Sequence, residues 1–195
     1  GHTRLIVMRS HLDMEIIGNT IDDAAGEAFD KCGKLMDFPY PAGPMIDKLA
    51  SEGNKKAFSF SKPSVKGLDF SFSGLKTSFL YFLRDRLKED PEFIVRNKAD
   101  LCASLQETIV SILINKLVKA SEQTGITEVG IAGGVSANSG LRNGLARESA
   151  KRGWNLFVPP FAYTTDNAAM IGITGYYKYL RGEFSSQYTA PRARI

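Results

Sequence analysis

The stretch Ile131-Ala-Gly-Gly-Val-Ser-Ala-Asn138 sets two adjacent glycines, small residues and one amide side chain between an apolar run and a helical pattern. Glycines let a ligand approach the backbone, and free amides at a helix N-terminus attract an anion. The turn therefore has the chemistry of an anion or nucleotide site. Asn138 could read a base or ribose with its donors and acceptor, or it could be the N-cap of the helix that follows. Tyr163-Thr-Thr-Asp-Asn-Ala-Ala-Met170 is a second such turn. Asp166 stands just before its helix, as an N-cap or, facing a cleft, as a metal ligand.

Asp23, Glu27, Asp30 and Lys34 fall along one polar stripe of a helical pattern. The stripe is a solvated face, or Asp30 turns toward the proline-rich Asp37-Phe-Pro-Tyr-Pro-Ala-Gly-Pro44 and accepts from ribose hydroxyls. In that second arrangement Gly43 admits the sugar and Asp47, one turn on, assists. Lys76 follows a glycine early in a helix and is a surface lysine or a phosphate contact. Two histidines, His2 and His11, are too few for a metal cage of their own, and neither Ser73 nor Ser136 has a histidine placed for a hydrolase. Arg84, Arg86, Lys88, Arg96 and Lys98 lie close in sequence, as do Arg192 and Arg194; they are solvated charges or contacts to a phosphate backbone.

These residues need elements to hold them. Thr3–Met8 and Met14–Ile17 read as a hairpin around Ser10–Asp13. Thr20 and Asp23 resemble a capping box for a helix carrying Ile21, Ala24, Ala25, Ala28, Phe29, Cys32 and Leu35 at helical spacing. The prolines of 37–44 enforce a loop, and a short helix follows from Met45 to Ser51. Phe58–Ser61 and Leu68–Ser73 alternate like paired strands. Helices are predicted over Leu75–Leu87 and Lys98–Gln123, the second with Leu101, Leu105, Ile109 and Ile112 on its apolar face. The rest alternates: strand Glu128–Ala132, helix Leu141–Arg152, strand Asn155–Val158, helix Ala168–Leu180. Strand then helix, repeated, predicts an α/β layer with functional loops at the strand ends.

At 195 residues and 43% apolar content the chain is an ordinary globular one, able to bury roughly 70% of its unfolded surface. Cys32 and Cys102 sit in helical patterns, not in a CxxC, and read as buried reduced thiols, which favours the cytoplasm. No uninterrupted apolar run of about 18 residues predicts a membrane span, and no secretion signal is recognisable. A net charge of +4 permits an anionic partner without demanding one. Gly1-His2-Thr3 runs directly into an apolar strand, as if the chain began inside a domain.

Taken together, Gly1-His2-Thr3, Ile21-Asp-Asp-Ala-Ala-Gly-Glu-Ala-Phe-Asp30-Lys31, Tyr40-Pro-Ala-Gly-Pro44, Asp69-Phe-Ser-Phe-Ser-Gly-Leu-Lys-Thr77, Ala132-Gly-Gly-Val-Ser-Ala-Asn138 and Thr165-Asp-Asn-Ala-Ala-Met170 resemble the TsaD (formerly Gcp) family. The likeness is strongest to its bacterial and mitochondrial branch. It implies an α/β fold of the actin-like ATPase (ASKHA) type, a mixed sheet flanked by helices with inserted helical segments. Residues 1–195 then form the second of two lobes, and a tail from about 181 to 195 packs on the first. The implied activity is transfer of a threonylcarbamoyl group from threonylcarbamoyl-adenylate to N6 of the adenine beside the anticodon in tRNAs reading ANN codons, the t6A modification.

Position by position, the resemblance implies substrate binding by Gly1, Asp30, Gly43, Asp47 and Asn138. Gly1 matches the last glycine of a Ser-Gly-Gly-His-Thr phosphate loop. Asp166 matches the carboxylate ligand of one iron or zinc ion whose other ligands belong to a first lobe. The implied nucleotide is of the adenylate or ATP type. Implied partners are tRNA, TsaB and TsaE, with the adenylate made by a TsaC-type synthase, in the cytoplasm and without a membrane. Family members start earlier, with a Glu-Thr-Ser-Cys-Asp type motif and a His-x-x-x-His pair absent from this chain, so the chain alone is expected to be inactive and to bind metal poorly. Thr164 stands where a Cys is common and Ala42 where a Gly is common. A regulatory nucleotide-binding module of the same fold is the alternative; the family's old glycoprotease label lacks a matching catalytic constellation.

Overall fold

The computed structural model describes residues 2–190; Gly1, Arg192 and Arg194 lie outside the described residues, as does the end of the tail. The chain opens with an antiparallel hairpin of β1 (Arg4–Ser10) and β2 (Asp13–Asn19). Four helices follow: α1 (Ala25–Lys34), α2 (Gly43–Ala50), α3 (Ser73–Glu89) and the single turn α4 (Phe93–Arg96). The long helix α5 (Lys98–Thr124) leads to a β-α-β unit of β3 (Glu128–Gly130), α6 (Ser139–Arg152) and β4 (Asn155–Phe157), with the strands parallel. Helix α7 (Ala168–Leu180) closes the order. The expected mixed sheet is present as two separate two-stranded pieces, one antiparallel and one parallel.

Helix α5 organises the core because it is buried on more than one side. Leu101, Leu105 and Ile109 face a large cluster with Phe70, Phe72, Leu75 and Phe79, while Val110 joins a second cluster with Val129, Leu141, Leu145 and Trp154. Length and composition alone would let α5 cross a membrane, yet 56% of its most apolar window is buried inside the protein. It is the core helix. Cys32 and Cys102 are buried free thiols, as expected.

Two expectations fail. Phe58–Ser61 and Leu68–Ser73 do not pair with each other as strands, because side chains and the end of β2 take their backbone donors, the Phe70 amide going to the Asn19 carbonyl at 3.0 Å. The Phe58 amide donates to Ser104 Oγ at 3.1 Å, that of Ser61 to Ser78 Oγ at 3.2 Å, and that of Phe72 to Asp22 at 2.7 Å. Their alternating phenylalanines pack on α3 and α4: Phe60 against Phe79 and Phe82, Phe58 against Phe82 and Phe93. Nor do Thr20 and Asp23 cap α1. Thr20 bridges to Phe70 and its hydroxyl donates to the Asp23 carbonyl at 2.6 Å, so the helix starts at Ala25. Thr3 Oγ1 accepts from the Ala25 amide instead, at 2.9 Å.

Helix α7 buries none of its residues. It touches the hairpin tip, where His11 stacks on Tyr177 with centroids 3.7 Å apart. Ile171 remains 77% exposed and Leu180 60%, and the neighbouring hairpin exposes Ile6, Met8, Met14 and Ile16.

Candidate functional site

Asp30, on α1, faces the proline-rich loop: its Oδ1 accepts from the Ala42 amide at 2.8 Å. Its second oxygen is left for another donor. The approach of Ala42 depends on Gly33, since a Cβ there would lie 2.3 Å from the Ala42 Cβ. The loop and α1 frame an open cavity of about 380 Å³ lined by Asp30, Lys31, Lys34, Phe38, Tyr40 and Ala42. Two other members of the predicted stripe, Asp23 and Glu27, are accounted for locally by Lys31, at 2.6 and 2.7 Å.

Asp47, one turn into α2, reaches across 92 positions of sequence to the N-terminus of α6. Its carboxylate accepts from the Ser139 amide at 3.0 and 3.1 Å and from the Ser139 hydroxyl at 2.7 Å. This helix end therefore already holds an anion, the arrangement its dipole favours. Asn138 is the N-cap: its Oδ1 accepts from Leu141 N at 2.9 Å, and its Nδ2 donates to Gln106 Oε1 at 2.7 Å. The carboxamide keeps one further lone pair and one further N–H.

The glycine turn precedes this cap, a single 3-10 turn over Gly134–Ala137 that rests against the start of α1. Gly133 has a φ of +83°, which favours glycine. Gly134 has no such need, and a Cβ on it would meet nothing within 4 Å. Gly43 is similar: a Cβ would meet only the Phe29 Cβ, at 4.0 Å. Packing among the described residues thus explains neither glycine, although glycine costs conformational entropy. Ser136, within the glycine turn, is buried and its hydroxyl has no hydrogen-bond partner among the described residues. Asp30, Gly43, Asp47, Asn138 and the glycine turn are connected through the Asp30–Ala42 and Asp47–Ser139 hydrogen bonds.

Asp166 is exposed and does not cap α7; the neighbouring Asn167 does, accepting from Met170 N at 3.1 Å. Among the described residues no three His, Cys, Asp or Glu side chains converge as a metal group. One carboxylate does not hold an iron or zinc ion, so the donor set within the described residues does not by itself fit the implied metal.

Sequence reasoning missed Asp22. Its carboxylate takes the Phe72 amide at 2.7 Å, the Ser73 hydroxyl at 2.8 Å, the Ser73 amide at 3.3 Å and the Ser71 hydroxyl, binding the end of the hairpin to the start of α3. Burial opposes its ionisation, but these bonds outweigh it and hold the carboxyl below the usual aspartate range. Asp69 adds a bond from the Asn19 amide at 2.9 Å. The alternating polar residues of 69–73 were the available signal. Four members of the basic run pair with acids beside them: Arg84 with Asp85 at 3.1 Å, Lys88 with Asp85 at 3.0 Å, Arg86 with Glu89 at 3.7 Å, and Arg96 with Asp90.

The family model described as TsaD, tRNA N6-adenosine threonylcarbamoyltransferase, matches residues 1–173. Curated proteins of that same name resemble the chain closely. The one from Porphyromonas gingivalis is 60% identical over all of this chain and 57% of its own length. That from Phocaeicola vulgatus is 60% identical over 94% of this chain and 54% of its own, and that from Christiangramia forsetii 57% identical over 100% and 57%. The chain thus spans little more than half the length of these relatives. The crystal structure of T.kodakarensis HypF shares the fold at a TM-score of 0.58 and 18% identity, over 88% of this chain and 21% of that one. The architecture fits a lobe of the actin-like, ASKHA type. With the match to its model covering residues 1–173, the chain belongs to the TsaD family.

Proposed function

We propose that this chain carries the substrate-binding face of a tRNA N6-adenosine threonylcarbamoyltransferase. The observation that carries the reading is Gly134, a glycine with neither a backbone nor a packing reason among the described residues, set in the turn where an adenylate would approach the backbone. Gly43 repeats the argument beside Asp30. On this reading the free oxygen of Asp30 accepts from a ribose hydroxyl, Gly43 admits the sugar and Asp47 fixes the α6 end of the turn. Asn138 supports the turn and offers its remaining lone pair and N–H to the ligand. Gly1 is assigned to the phosphates.

A mixed anhydride is already an activated donor, so the face has only to hold it in line. The adenine N6 bonds to the carbamoyl carbon, the bond from that carbon to the phosphate oxygen breaks, AMP leaves, and the amine proton is released. A metal would polarise the carbamoyl group; Asp166 is its one candidate ligand here, so the remaining donors belong to the rest of the enzyme. We place this remainder, the first lobe, on the exposed apolar surface of α7 and the hairpin, a kind of surface that marks an interaction site. TsaB, TsaE, a TsaC-type synthase and a cytoplasmic setting complete the proposal.

The test is calorimetric titration of ATP and of a stable threonylcarbamoyl-adenylate mimic into the chain and its Gly134→Ala variant. A methyl group intruding on the ligand should weaken binding about 5- to 150-fold, the effect of about 1–3 kcal/mol of overpacking. Equal affinity of both forms would remove the ligand from the turn. Nucleotide binding combined with t6A formation indifferent to Asp166→Ala in the full-length enzyme would favour a regulatory module.

A further inference from the structure

The paired run at 84–96 leaves open where a polyanion would sit, and the structure offers a different surface. The segment 61–68 has no regular structure and lies between α3 and α5. Its Pro63 touches the start of α3, where a Cβ on Gly74 would come within 3.2 Å of the proline ring. From the other side Lys116 Nζ donates to the carbonyls of Val65 and Gly67, at 2.9 and 2.8 Å, and Lys119 Nζ to that of Gly67 at 3.3 Å. Lys62 and Lys66 on the loop are exposed, as is Lys119; Lys116 is half-buried. None of the four forms an ion pair among the described residues.

We infer that the loop 61–68, with Lys62 and Lys66 on it and Lys116 and Lys119 beneath it, is an RNA-binding surface that engages the phosphate backbone of the tRNA substrate. The inference rests on the proposed function for the identity of the nucleic acid and on charge complementarity for the place. Two ammonium groups serve as struts that hold the loop, and they keep unused N–H donors. Lys116 is held below the usual lysine range first by burial and then by the charge of Lys119, and among the described residues the Asp69 carboxylate opposes this. The Asp69 carboxylate is already occupied by the Asn19 amide. A polyanion relieves this repulsion and releases its own counterions on binding. Such contacts position an RNA without reading its sequence.

The test is fluorescence anisotropy of a labelled tRNA transcript, and of an unrelated duplex RNA, titrated with the chain between 50 and 200 mM salt. Lys62→Ala/Lys66→Ala is compared with Arg84→Ala/Lys88→Ala, and circular dichroism verifies that both fold. Each lost phosphate contact lowers the salt slope by about 0.9, so over this fourfold range the loop variant should lose about tenfold less affinity than the unaltered chain. It should also bind both RNAs more weakly at 50 mM salt, while the control variant follows the unaltered chain. Superimposed curves for the loop variant and the unaltered chain, as an acidic protein partner would leave them, overturn the proposal. No RNA binding by the unaltered chain overturns it as well, and the adenylate titration then decides separately whether the functional reading stands.

Discussion

Replacing Gly33 and Gly43 separately by alanine distinguishes packing from ligand approach. At Gly33 the new Cβ would lie 2.3 Å from the Ala42 Cβ and 3.3 Å from Ile46 Cδ1. Carbon atoms settle at about 3.5–4.0 Å, so α1 and the loop must part by more than about 1 Å. That stretches the 2.8 Å bond from the Ala42 amide to Asp30 past hydrogen-bonding range. Overpacking costs about 1–3 kcal/mol and an orphaned buried amide about 1–3 kcal/mol, while alanine in place of glycine in a helix returns about 1 kcal/mol. The net loss is about 3 kcal/mol, a fall in Tm of about 6–12 °C for a chain of this size. At Gly43 the nearest atom is 4.0 Å away, and alanine should leave stability unchanged or raise it by up to about 1 kcal/mol. Urea unfolding of both variants checks the pair. A Gly33→Ala protein within about 0.5 kcal/mol of the parent would refute the reasoning that this glycine sets the Asp30 geometry.

Asp22 gives a pH dependence. Its folded pKa is lowered, so its stabilisation is complete above its ordinary value near 3.8 and disappears as the pH falls through the lowered folded value. Asp22→Asn should cost about 1–2 kcal/mol at neutral pH, with partial exposure discounting the upper range, and should flatten the acid limb below about pH 4; a limb as steep as the parent's would exclude Asp22 as its source. Burial pushes both Cys32 and Cys102 up to about 12, so neither should react with a thiol reagent at pH 8 except through unfolding. Rapid modification of the native chain contradicts that burial.

The helices α5, α6 and α7 were legible, and their limits follow the expected ones within a few residues. Periodicity reports which side chains are buried, not which groups receive the backbone donors. Phe58, Ser61 and Phe72 therefore alternate like strand residues while their amides go to Ser104, Ser78 and Asp22, 46, 17 and 50 positions away. The site divides in the same way. Asp30 and Gly43 stand at a conspicuous loop, and the turn at 133–138 announces itself by its glycines. The bond from Ser139 to Asp47 spans 92 residues and leaves no local trace. Asn138 shows the converse, since both its amide atoms hold the fold. Its removal would destabilise the turn by about 1 kcal/mol whatever it binds, which makes the glycines the cleaner probes. The neutralisation of Arg84 and Lys88 was legible in the acids interleaved with them.

The central claim is that one face of this lobe, formed by Asp30, Gly43, Asp47 and the glycine turn, receives the adenylate. Amide chemical-shift mapping by NMR, during titration of a stable threonylcarbamoyl-adenylate mimic into the isotopically labelled chain, tests it most directly. The expected result is a contiguous set of shifts at residues 30, 42–47 and 133–139, with the hairpin and α7 unmoved. Shifts centred elsewhere, or none at saturating mimic, would contradict the assignment of the adenylate to this face.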